Sequence, residues 1–123
     1  MPNKENWDAF YAACVDDEPK WPMIAMAQSL SALCYNVVIV SGRSDAVAVQ
    51  TQEWLARHNV PYTRLFLRPN NDHTPDYKLK RRWFETSGYR PEDISYVFED
   101  RTAVVQMWRE LGITTLQVCD GDY

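Results

Sequence analysis

Val37-Val38-Ile39-Val40 constrains the fold more than any other stretch of the chain. Four β-branched residues without polar alternation read as a short strand buried on both faces, the pattern of a parallel sheet with helices on each side. Ser41, Gly42 and Arg43 follow directly. Open α/β sheets bind ligands outside the carboxyl ends of their strands, so a hydroxyl, a glycine and a cation at that point mark a candidate site.

The remaining patterns alternate between strand and helix. Trp7, Phe10, Tyr11 and Cys14 are spaced as one face of a short helix, and Pro19 and Pro22 bracket its end. Pro22 opens a longer helix with an apolar stripe of Met23, Met26, Ala27, Leu30 and Leu33. Beyond the buried strand, Ser44 or Asp45 caps a helix over about 46–58, with Val47, Val49, Trp54 and Leu55 as its apolar surface. A second strand is predicted over 62–68, a loop over 69–75, and a helix from Asp76 to Ser87 stopped by Gly88. Ile94 to Phe98 forms a third strand. Ala103, Val104, Met107, Trp108 and Leu111 trace a fourth amphipathic helix, and 113–118 a fourth strand. The expected architecture is a single α/β domain over residues 1–123, a Rossmann-like parallel sheet with flanking helices built from right-handed crossovers.

Composition narrows the function classes. Of the 123 residues, 46% are hydrophobic, enough for a real core, so disorder is excluded. The formal charge of −4 argues against broad, sequence-independent wrapping of nucleic acid and restricts any such contact to a local patch. Cys14, Cys34 and Cys119 are odd in number and widely spaced, which points to neither a disulfide framework nor a zinc site. No run approaches the roughly 18 apolar residues of a membrane span, and Met-Pro-Asn-Lys-Glu-Asn lacks the apolar core of a signal peptide. The expectation is a soluble, cytoplasmic protein with no membrane contact.

Two strands end in reactive side chains: Ser41-Gly42-Arg43 after the first, and Glu99-Asp100-Arg101 after the third. Parallel strands bring both ends to one edge. Glu99 and Asp100 are hard oxygen ligands of the kind Mg²⁺ takes one or two at a time, completing its shell with water and substrate phosphate. Ser41 can hydrogen-bond a phosphoryl oxygen and Arg43 can clamp one bidentately. Each group also has a purely structural reading: Glu99-Asp100 as a helix N-terminus, Ser41-Gly42-Arg43 as a tight turn, and Lys78, Lys80, Arg81 and Arg82 as a solvated helix face. His58 and His73 are isolated.

Taken together, these segments resemble the haloacid dehalogenase-like phosphohydrolases. Val37 to Asp45 resembles their second motif, Asp76-Tyr77-Lys78-Leu79-Lys80 the third, and Val97-Phe98-Glu99-Asp100-Arg101 the fourth. Within that family the chain is most similar to the 3′-phosphatase domain of bacteriophage polynucleotide kinase, through Asp100-Arg101-Thr102, Val104-Val105, Met107-Trp108-Arg109 and Gly121-Asp122-Tyr123. The resemblance implies an Mg²⁺-dependent phosphatase fold acting on phosphorylated nucleotide or nucleic-acid ends. In it Ser41, Gly42 and Arg43 bind the substrate phosphate, Lys80 neutralises the phosphoryl group, and Asp100 with Glu99 holds the metal. The family's lysine interval from its loop aspartate favours Lys80 over Lys78.

One departure is large. The family opens with an apolar strand ending in Asp-x-Asp-Gly-Thr, whose first aspartate is the nucleophile and whose second is the general acid-base. Nothing of the kind precedes Trp7, and Asp16-Asp17-Glu18 follows no apolar strand. Without that carboxylate an aspartyl-phosphate route has no first step. The resemblance therefore implies a central strand that is missing. Three outcomes are open: a phosphatase whose nucleophile strand comes from a further segment, a second copy or another polypeptide; an inactive phosphate- or nucleic-acid-end-binding relative; or a structural domain. The expected sheet closes the gap by pairing Val37–Val40 directly with Tyr96–Phe98, since unpaired buried backbone is costly.

Overall fold

The computed structural model describes the backbone of residues 8–11 and all of residues 21–119. In chain order the elements are β1 (Asp8–Tyr11), α1 (Trp21–Ala32), β2 (Asn36–Ser44), α2 (Ala48–Arg57), β3 (Arg64–Arg68), α3 (Asp76–Ser87), β4 (Ile94–Glu99), α4 (Thr102–Glu110) and β5 (Thr115–Gln117). The sheet has the order β3-β2-β1-β4-β5, and every pairing in it is parallel.

The expected direct pairing of Val37–Val40 with Tyr96–Phe98 does not occur. β1 lies between them, with Ala9 to Tyr11 opposite Val37 to Ile39 on one side and opposite Tyr96 to Phe98 on the other. The central place is therefore filled by a strand of the same chain, and no second copy or other polypeptide is needed to complete the ladder. The same segment overturns the helix expected around Phe10 and Tyr11. Trp7 and Cys14 lie outside the described residues.

Alternation along β2 accounts for the burial of its whole apolar run. Val37 and Ile39 enter one core with Ile24, Ala27 and Leu30 of α1 and Leu55 of α2. Val38 and Val40 enter the other, with Trp83 and Phe84 of α3, Val97 of β4, and Val104, Met107 and Trp108 of α4. Successive side chains of a strand point to opposite faces, so four consecutive buried residues require helices on both. Each such side chain contributes roughly 1.5–3 kcal/mol by burial. Trp108 is fully buried and meets Phe84 edge-on at 5.9 Å.

α1 buries a narrower stripe than its sequence suggested: Ile24, Ala27 and Leu30 are inside, whereas Met26 and Leu33 are exposed. α2 starts after a short 3₁₀ turn, Asp45–Val47, capped by the Ser44 hydroxyl, which accepts from the Ala46 amide. Its buried residues are Thr51 and Leu55, and Val49 faces solvent. α3 matches its predicted bounds and stops at Gly88, whose φ of 89° is the left-handed conformation that favours glycine.

Candidate active site

Three strand ends meet at one edge of the sheet. β2 runs on past Val40 through Ser41, Gly42 and Arg43 to Ser44, with its register to β3 shifting between Val40 and Ser44. The purely structural reading of Ser41-Gly42-Arg43 as a tight turn gives way to an irregular, still extended strand end. Ser41 is buried, and its Oγ accepts from the Arg43 amide at 3.1 Å, which leaves the hydroxyl proton to donate outward. Among the described residues no ion pair or side-chain hydrogen bond holds the Arg43 guanidinium.

α3 delivers a lysine into the interior. Leu79, Lys80, Trp83 and Phe84 form its buried face, while Lys78, Arg81 and Arg82 point outward. The solvated-face reading therefore holds for three of the four cations and fails for Lys80. Its side chain is 5% exposed, with Nζ 3.1 Å from Asp76 Oδ2 and 3.0 Å from Glu99 Oε2. An ammonium has three protons, so two go to these carboxylates and one remains for a phosphoryl oxygen.

Glu99 closes β4 and is almost wholly buried, as is Asp100. Glu99 Oε1 accepts from the Arg101 amide at 3.3 Å. Burial pushes its carboxyl up from 4.5 to about 7; Lys80 pulls the other way, and a hydrogen bond with Asp100 adds to the rise. The Asp100 carbonyl accepts from Gln117 Nε2, which ties this strand end to β5.

Asp76 and Arg68 are the site members that sequence reasoning left without a role. Arg68, at the end of β3, donates from Nε to the Gly42 carbonyl at 2.9 Å, from Nη1 to the carbonyls of Asp72 and Thr74, and from Nη2 to Asp76 Oδ1 at 3.4 Å. One guanidinium thus joins the β2 end, the 69–75 loop and the start of α3. Asp76 in turn holds Lys80, and Arg101 Nη1 lies 3.9 Å from its Oδ2. The signal was available: Arg68 ends the predicted second strand, and a parallel neighbour of β2 brings its end to the same edge.

Gly42 is small because Asp76 is close. A Cβ on residue 42 would lie 2.6 Å from Asp76 Oδ1, and that carboxylate is held by Lys80 and Arg68. Gly42→Ala should cost about 1–3 kcal/mol in urea denaturation by forcing the carboxylate aside. In an Asp76→Ala background the same change should cost under about 0.5 kcal/mol. Equal costs in both backgrounds would show that Asp76 is not what keeps the position small.

A family model for the polynucleotide kinase PNKP phosphatase domain matches residues 3–123. The chain belongs to this family. A protein of Autographa californica nuclear polyhedrosis virus, described as a bifunctional polynucleotide kinase/RNA ligase, is 32% identical to this phosphatase-family chain over 123 residues. The match covers 97% of the chain and 18% of the viral protein, so the chain spans a small part of that relative's length. Among solved structures, a chain of the Pnkp1/Rnl/Hen1 RNA repair complex superposes with a TM-score of 0.87 at 24% identity, over 95% of this chain and 43% of that one. A HAD-family enzyme from Bacteroides thetaiotaomicron, solved with magnesium and inorganic phosphate, gives a TM-score of 0.55 at 16% identity over 85% of this chain and 55% of its own. At these identities the structural likeness is one of fold, a parallel α/β sheet with flanking helices shared with haloacid dehalogenase-like enzymes. Among the described residues, no helix of this polynucleotide kinase phosphatase relative is long and apolar enough to cross a membrane.

Proposed function

We propose that this chain carries the phosphate-handling half of an Mg²⁺-dependent phosphatase acting on terminal phosphates of nucleotides or nucleic acids. The observation that carries the reading is Lys80, buried in an otherwise apolar helix face and aimed between Asp76 and Glu99. A lysine buried at such cost is hard to account for by stability alone, since a buried ion pair seldom outperforms apolar packing of the same volume. Ser41 donates to a phosphoryl oxygen, Arg43 clamps a second, and Lys80 balances the charge. Asp76 and Glu99 hold the ammonium in place, and Arg68 fixes the β2 end from behind.

The donor set suits Mg²⁺. Among the described residues no three His, Cys, Asp or Glu side chains gather as a ligand group, whereas Mg²⁺ takes one or two carboxylates and completes its shell with water and substrate phosphate. By the family resemblance Asp100 is the principal ligand and Glu99 the second, and the Glu99 oxygens also hold Lys80 and the Arg101 amide. When bound, the ion would offset phosphate charge at the carboxyl end of β4.

Turnover needs a carboxylate nucleophile, and these 123 residues contain no Asp-x-Asp-Gly-Thr. This chain alone is therefore expected to bind a phosphate ester and not to hydrolyse it. Calorimetry with Mg²⁺ and a nucleoside 3′-phosphate should show binding that Asp100→Asn or Ser41→Ala weakens at least about tenfold, the loss of one charge-assisted contact. If Mg²⁺ gives no heat and Asp100→Asn leaves ester binding unchanged, the metal assignment is wrong. Robust Mg²⁺-dependent hydrolysis lost on changing Asp16 or Asp17 would show that the nucleophile lies in this chain after all.

A further inference from the structure

β5 is patterned against its surroundings. Its pairing with β4 sets Thr115 opposite Val97, Leu116 opposite Phe98 and Gln117 opposite Glu99. Cross-strand partners project to the same face, and Val97 enters the core shared with α3 and α4, so Thr115 and Gln117 lie on the α4 side. Leu116 and Val118 lie on the other side and are 43% and 39% exposed. Burial does not explain an edge strand that turns its polar residues toward a helix and its apolar ones toward solvent. The bonds of Gln117 do.

Three hydrogen bonds run from this strand end to the turn between β4 and α4. The Val118 amide donates to the Glu99 carbonyl at 3.1 Å, and Gln117 Nε2 donates to the Asp100 carbonyl at 3.1 Å and to Thr102 Oγ1 at 3.0 Å. A primary amide nitrogen carries two protons, one for each acceptor, and a carbonyl only accepts, so the nitrogen is the end that faces Asp100. One side chain thus brackets Arg101, holding the residue before it and the residue after it. The helix does not secure this turn from within, since among the described residues no side-chain hydrogen bond caps α4 at Arg101. Asp100 is buried, and its carboxylate is joined to this backbone by only two rotatable bonds confined to staggered or narrow wells. A tilt of its peptide therefore re-aims the carboxylate.

We infer that Gln117 is a positioning residue for the metal-binding carboxylate of Asp100. The assignment rests on the Mg²⁺ reading above and adds to it a side chain that acts through the Asp100 backbone. Mg²⁺ demands near-ideal octahedral geometry at about 2.1 Å, so it is sensitive to the aim of each carboxylate. Outer partners that orient a metal ligand are typically worth about ten- to a hundredfold in metal affinity.

Calorimetry on the full chain, with Mg²⁺ alone and with a nucleoside 3′-phosphate in metal-free buffer, tests it. Gln117→Met keeps the length of the side chain without its donor and should weaken Mg²⁺ at least about tenfold. Gln117→Ala, which removes the same donor with less bulk, should do likewise. Metal-free binding of the ester should stay within about twofold, because Ser41 and Arg43 stand on β2, two strands away from β4. Arg109→Met is the control. It cuts another tie between α4 and β5, Arg109 Nη2 to the Thr115 carbonyl at 3.0 Å, without touching the turn, and should leave Mg²⁺ affinity unchanged. Thermal melting should show every variant folded. If both Gln117 variants bind Mg²⁺ like the parent while Asp100→Asn weakens it, the Mg²⁺ reading stands and the Gln117 assignment falls. If Arg109→Met loses as much Mg²⁺ affinity, or the Gln117 variants lose metal-free ester binding to the same degree, Gln117 acts through strand stability and the assignment falls. If the parent binds no Mg²⁺, or Asp100→Asn leaves its binding unchanged, the Mg²⁺ reading falls and takes the assignment with it.

Discussion

Lys80→Met should destabilise the fold by about 3–5 kcal/mol at pH 8, the usual cost of removing one partner from a buried ion pair. In a chain of this size that lowers the melting midpoint by more than about 10 °C. The reason is what stays behind. Asp76 keeps Arg68 and Arg101 nearby, but the Glu99 carboxylate, 1% exposed, keeps the Arg101 amide and its hydrogen bond with Asp100 and loses its one cation. Glu99 can relieve the loss by taking up a proton, and without Lys80 its carboxyl rises further, because Lys80 is the main influence holding it down. The cost of Lys80→Met should therefore shrink when the comparison is repeated at pH 5. Lys78→Met is the control: Lys78 is exposed, and its replacement should change stability by under about 0.5 kcal/mol. Similar losses from both variants, or a Lys80 effect that does not depend on pH, would show that the buried ammonium is not what balances Glu99.

Why Lys80 and not Lys78 carries this role follows from helix geometry. Residues 76 and 80 share a face at one turn's spacing, and 79, 83 and 84 extend that face into the core. The family's lysine interval from its loop aspartate favours Lys80 over Lys78. The burial of one and exposure of the other give it a physical reason.

The parts of the fold that were legible in the sequence are those with a long or unambiguous period. Val37 to Val40, the α3 stripe with Gly88 after it, and the α4 pattern ending at Gly112 all agree with the observed elements. β1 was not legible because Asp8-Ala9-Phe10-Tyr11 is four residues long, carries residue types depleted in strands, and sits among aromatics at helical spacing. Its strand character comes from its neighbours: β2 and β4 each present a row of backbone donors and acceptors, and a short parallel segment between them completes both ladders. In the site, Ser41, Lys80, Glu99 and Asp100 were visible as residue types at strand and helix ends. The Arg68–Asp76 link was not, since the Arg68 contact to Gly42 spans 26 residues and only the order of strands in the sheet makes the two adjacent.

The metal-free chain should lose stability as pH rises from about 5 to about 7.5, the reverse of ordinary acid denaturation. Glu99 has its carboxyl raised from 4.5 to about 7, first by burial and then by its hydrogen bond to Asp100, against the pull of Lys80. Below 4.5 both folded and unfolded chains hold the proton, and this contribution is fully present. Between 4.5 and about 7 the unfolded chain has released it and the folded chain has not, so each step upward favours unfolding. The loss across that window is on the order of 3 kcal/mol, and above it the contribution is flat. Asp72 acts with the opposite sign and in a different window. Hydrogen bonds from Thr74 and Arg82 hold its carboxyl far below the usual 3.8, so it stabilises the fold above that value and the gain is lost as pH falls beneath it. The contribution of Asp72 is thus flat above its ordinary value, 3.8, and that of Glu99 begins to fall above its own, 4.5. Glu99→Gln keeps a neutral side chain of the same shape at every pH and should flatten the fall between pH 5 and 7.5 while leaving the loss at lower pH in place. Urea denaturation midpoints across the range decide the matter: a parent chain that gains stability from pH 5 to 7.5, or a Gln variant that follows it, would mean that Glu99 enters the folded state already ionised and that Lys80 outweighs its burial.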